Sequence, residues 1–66
     1  MAIKVSFYTD TRIASEVRTA EFAGYSTASM VDMVKRSMRH NEKFACFRSP
    51  EGSVVALSHT GDYVAL

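Results

Sequence analysis

The chain opens on a clean alternation: Ile3, Val5 and Phe7 fall on one side and Lys4, Ser6 and Tyr8 on the other, the period of two that predicts a strand with one buried face. Asp10-Thr11-Arg12 then interrupts the pattern with turn-forming and charged residues. The stretch from Ile13 to Ala23 reads two ways. As a helix it groups Ile13, Val17 and Ala20 and ends at Gly24, but Phe22 then points away from that face. As a strand it sets Arg18, Ala20 and Phe22 against Val17, Thr19 and Glu21. The strand is preferred because it gives the first strand an antiparallel neighbour through a short connection.

A helix is expected next, from Thr27 to His40. Ser26 suits the N-cap, and Tyr25 and Met30 occupy the two positions of a hydrophobic staple. Met30, Val31, Met33, Val34 and Met38 cover an arc of roughly 160°, with Asp32, Lys35, Arg36 and Arg39 opposite. Asp32 can pair with Lys35 or Arg36 along the helix, and Asn41 is the expected residue just past its end. Three short strand signals follow: Phe44 to Arg48, Ser53 to His59 and Tyr63 to Leu66. Ser49-Pro50-Glu51-Gly52 joins the first two with Pro at the first central position of a type I turn and Gly in the left-handed position, and Thr60-Gly61-Asp62 joins the last two. The expected architecture is α+β, in the order β-β-α-β-β-β: a single small antiparallel sheet with one helix packed on one face.

Length makes this one domain, residues 1–66. With 47% hydrophobic and 23% charged residues the chain has a globular composition, far from that of a disordered segment. Cys46 is the single cysteine, so there is no disulfide framework; with only His40 and His59 for company it completes no zinc site, and a cytoplasmic location is expected. No apolar run exceeds four residues, too short for a membrane span or a signal segment. In a domain this small, hydrophobic gain and chain entropy nearly cancel, so docking on a partner or on a second copy is a natural source of further burial.

Catalytic chemistry finds little support. Cys46, between Phe44 and Phe47, reads as a small buried hydrophobe, and His40 and His59 sit at a helix end and beside a turn. There is no nucleophile elbow, phosphate loop, metal-ligand spacing or pair of carboxylates, so no enzyme, cofactor or metal is expected. The methionines of the helix read first as core, with Met33 at the edge of the apolar arc.

The charge balance adds a local feature. Eight Lys and Arg face seven Asp and Glu for a formal +1, yet Lys35, Arg36, Arg39, His40 and Lys43 gather at the end of the helix with Arg48 shortly after, and Glu42 is the acid among them. Five other acids, Asp10, Glu16, Glu21, Glu51 and Asp62, lie elsewhere, and Asp32 sits earlier on the helix. A solvated face favoured by the helix dipole is the ordinary explanation; a basic patch for an acidic protein surface, or for phosphates, is the functional one. Tyr8, Tyr25 and Tyr63 are the exposed aromatic candidates for partner contact. They are not interleaved with the basic run as nucleic-acid stacking platforms are, so a protein partner is favoured over nucleic acid. The uncharged Tyr63 to Leu66 segment is an edge that invites strand pairing with a partner or a symmetric mate.

In layout the chain resembles small phage-encoded inhibitors of host machinery, among them anti-CRISPR proteins and an inhibitor of host RNA polymerase. The resemblance is carried by Ile3-Lys4-Val5-Ser6-Phe7, by Phe22-Ala23-Gly24-Tyr25-Ser26 running into the helix, and by Ser49-Pro50-Glu51-Gly52 joining late strands. It transfers no functional residue. It implies an intracellular, non-enzymatic protein that occupies a surface of a larger host complex.

Overall fold

The computed structural model describes residues 2–66. Strands β1 (Ile3–Tyr8), β2 (Glu16–Phe22), β3 (Phe44–Arg48), β4 (Val54–Ser58) and β5 (Tyr63–Ala65) form one antiparallel sheet in the order β2-β1-β3-β4-β5, with helix α1 (Thr27–Ser37) between β2 and β3 in sequence. This is the α+β layout expected. The Ile13 to Ala23 ambiguity resolves into a 3-10 turn, Ile13–Ser15, leading into β2. Asp10 shapes this connection: it accepts from the Arg12 backbone N–H at 2.7 Å and from its guanidinium, and the Ser15 hydroxyl donates to the Asp10 carbonyl. A bulge between Phe7 and Tyr8 in the pairing leaves Val17 as the extra residue of β2.

Strand register explains which side chains are inside. Phe7 stands opposite Arg18 and Ala45, Val5 opposite Ala20 and Phe47, Ala45 opposite Leu57 and Phe47 opposite Val55. Paired residues share a face, so this set forms the floor on which α1 lies. Its core is Val5, Phe7, Met30, Val34, Ala45, Phe47, Val55 and Leu57, with Phe22, Val31, Met33 and Met38 packed at its margin. Met33 therefore belongs to the core rim.

The helix begins as the sequence predicts, with Ser26 Oγ accepting from the Ser29 N–H at 3.2 Å. Glu51 adds a second cap from the β3–β4 hairpin: its carboxylate accepts from both the N–H and the hydroxyl of Thr27. The expected staple does not form, because Tyr25 is 95% exposed. Met30 instead packs on Gly24, where an added Cβ would stand 2.7 Å from Met30 Sδ. The end of the helix also differs from expectation. It stops at Ser37, with Met38 extended, and Asn41 is not its cap. The cause is tertiary: Arg18 takes the Ser37 carbonyl at 2.9 Å and the Glu42 carboxylate takes the Arg39 N–H at 2.8 Å, drawing residues 38–42 into a closed turn.

The two late hairpins share one design. Gly52 and Gly61, at φ 93° and 101°, close turns in which their N–H groups reach Ser49 and Ser58 carbonyls. These turns place β5 at one edge of the sheet and β2 at the other.

Candidate functional site

The turn that ends α1 gathers basic side chains from three segments. Lys35 comes from the last turn of α1, Arg39, His40 and Lys43 from the connection to β3, and His59 from the β4–β5 turn; together with Met38 and Glu42 they line a recess beside the helix C-terminus. Backbone bonds hold it in place: Glu42 N–H donates to the Arg39 carbonyl, Lys43 N–H to Tyr8 and His59 N–H to Lys43. The carbon chain of Lys35 lies against Gly61, where a Cβ would meet Lys35 Cε at 3.0 Å.

Glu42 lines this recess, but its main partner lies outside it. It is 2% exposed and turned to Arg18, whose guanidinium donates to both carboxylate oxygens. These hydrogen bonds from Arg18, with help from the Arg39 N–H, hold the Glu42 carboxyl below its usual value against the opposing effect of burial, and they raise Arg18 in turn. With the acid committed to Arg18, the cations around it face the solvent and the carbonyl end of the helix.

The structure brings together Lys35, Arg39, His40 and Lys43 of the expected patch and adds His59, which the sequence placed only beside a turn. It separates the others. Arg36 points along the outer side of α1 and pairs with Asp32 at 3.3 Å. Arg48 lies at the far end of β3, beside Lys4 and the Ser49–Gly52 turn, where it donates to the Gly52 carbonyl. Tyr25 precedes the helix at its other end, Tyr63 lies on edge strand β5, and Tyr8 faces away from the helix. None of the three tyrosines lines the recess.

Cys46 corrects a further expectation. In β3 the core positions go to Ala45 and Phe47, so Cys46 falls on the helix-free face, half-buried with Phe44 and Tyr8 in a shallow apolar groove. His40 and His59 are exposed, and among the described residues no carboxylate hydrogen-bonds to either ring. Among the described residues no three His, Cys, Asp or Glu side chains converge as a metal site, and no helix is long and apolar enough to cross a membrane. The chemistry on offer in the recess is anion binding by charge and by charge-assisted hydrogen bonds. Compared with protein-family models, curated proteins and solved structures, the chain matches none.

Proposed function

We propose that this chain is a non-enzymatic protein-binding module that seats an acidic surface of a larger partner against the recess of Lys35, Arg39, His40, Lys43 and His59. The observation that carries the reading is the pairing of Glu42 with Arg18, which leaves Lys35, Arg39 and Lys43, with His40 and His59 beside them, in excess over the one acid that lines the recess. Arg is a favoured hot-spot residue, and a domain of this size can cover about 800 Å² of a partner, enough to block a site sterically. Such occlusion is the mode implied by the resemblance to small phage-encoded inhibitors of host complexes. A nucleic-acid strand is the less suited ligand: the cations form a compact group at one end of the molecule, without aromatic rings on which bases could stack.

Fluorescence anisotropy with an acidic peptide and with a single-stranded oligonucleotide, at about 50 and 200 mM salt, separates these ligands. The proposal expects peptide binding that is lost on combining Arg39→Gln with Lys43→Gln. Tighter oligonucleotide binding with a steep salt dependence would replace it with a nucleic-acid function, and binding of neither ligand would remove the recess as the site.

A further inference from the structure

Among the described residues no element covers the face of the sheet opposite α1; its β1–β2 half carries Lys4, Ser6, Thr19 and Glu21, whereas its β3–β5 half is largely apolar. Tyr8, Phe44, Cys46 and Ala56 run across its middle, joined by Ile13 at one end and Val64 on β5. Of the exposed large aliphatic residues, Ile13, Val64 and Leu66 lie on this side, with Ile13 and Leu66 more than four-fifths exposed. An exposed apolar patch of this kind, rimmed by polar residues, marks an interaction surface.

We propose that this face is the interface of a homodimer, in which two sheets pack face to face as an aligned sandwich. Two features select a second copy as the occupant. The first is area. A standard interface takes about 800 Å² per partner, roughly a fifth of the accessible surface of 4294 Å². That is the share one broad face presents on a body measuring 27 × 20 × 20 Å.

The second feature is the charge at the two ends of the face. At the end where β1 finishes, Asp10 is tied to Arg12, leaving Glu16 and Asp62. At the opposite end Lys4 stands in register with Glu21, leaving Arg48. A two-fold axis in the plane of the interface and perpendicular to the strands lays each end on the opposite end of the mate. Arg48 of one copy then meets the Asp62 side of the other. An axis along the strands would instead set like charges together, which costs specificity and affinity. The face is thus self-complementary in only one of the two aligned arrangements, as an isologous interface requires. This dimer uses neither the basic recess nor the β5 edge, so it leaves both β5 edges unpaired.

Sedimentation equilibrium over about 1 μM to about 1 mM tests the proposal and should show a monomer–dimer equilibrium within that range. Ala56→Asp, at an exposed position in the middle of the face, should weaken the dimer about a hundred-fold while circular dichroism shows the fold intact. Arg48→Glu should weaken it, and Arg48→Glu with Asp62→Lys should restore it. In the unmodified chain, alkylation of Cys46 should slow as protein concentration rises. A monomer at every concentration overturns the proposal. So does a dimer unaffected by Ala56→Asp, which would point to β5 edge pairing, or a charge exchange that fails to restore association.

Discussion

Arg18 lies with its guanidinium carbon 4.0 Å above the centre of the Phe7 ring, its register partner on β1. From there it reaches Glu42, 24 residues away, and the Ser37 carbonyl. One side chain thereby joins the edge strand, the core, the helix end and the turn that builds the basic recess. Removing one partner of a buried pair typically costs about 3 kcal/mol, close to the whole stability of a domain this size, whereas replacing both with apolar residues is often much milder. Arg18→Met and Glu42→Met should therefore each be strongly destabilising in urea unfolding, and the double variant less so than the sum of the two. Strict additivity would show that the pair is not energetically coupled.

Acid should weaken the fold through the same carboxylate. Arg18 holds the Glu42 carboxyl below its ordinary value of 4.5, and the Thr27 N–H does the same for Glu51. With the folded pKa depressed, the unfolded chain binds more protons between the two values, so stability rises with pH through that window. The contribution is complete above about 4.5 and is lost as pH falls through the folded pKa. Urea midpoints measured from about pH 5 down to about pH 3 should fall, and Glu42→Gln should flatten the fall. Parallel curves for the two proteins would assign the acid sensitivity elsewhere.

Alternation at Ile3 to Tyr8, the Ser26 cap and the Ser49 to Gly52 turn made β1, the start of α1 and the β3–β4 hairpin legible, because each is encoded within a few neighbouring residues. The helix end was not, since nothing local in Met38 to Asn41 stops a helix; Arg18 and Glu42 stop it from a distance. A signal of that pair was present in β2, where Arg18 shares the inward side with Ala20 and Phe22 and so calls for a buried partner. The helix-free apolar face was written in the runs Phe44 to Phe47, Val54 to Leu57 and Tyr63 to Leu66. Strands apolar at both parities have two faces to cover, and one helix covers one.

Gly24 and Gly52 should respond to substitution for different reasons. At Gly24 a new Cβ would press on Met30 Sδ and Cγ, and because that side chain is fully buried it can give way only by repacking within the core; overpacking of this kind costs about 1–3 kcal/mol. At Gly52 nothing lies within 4 Å, and only the left-handed backbone at φ +93° resists, a strain of about 1 kcal/mol. Gly24→Ala should thus lower the melting temperature more than Gly52→Ala does, and trimming the obstruction with Met30→Ala should reduce the added cost of Gly24→Ala. If Gly24→Ala costs the same with and without Met30→Ala, the contact is not the reason for this glycine.

The recess makes a separable electrostatic prediction, because Arg39 and Arg36 lie three residues apart in the chain yet differ in their surroundings. Arg39 lines the recess beside Lys43, whereas Arg36 is paired with Asp32 on the exposed side of α1. Arg39→Gln should weaken binding of an acidic peptide at least about ten-fold at low salt and make the remaining binding less salt-dependent. Arg36→Gln removes a charge of the same sign from a neighbouring surface and should change the affinity less than about three-fold. Measured side by side by anisotropy titration, equal losses from the two changes would mean that net charge governs binding. Unequal losses of the stated size would locate it in the recess.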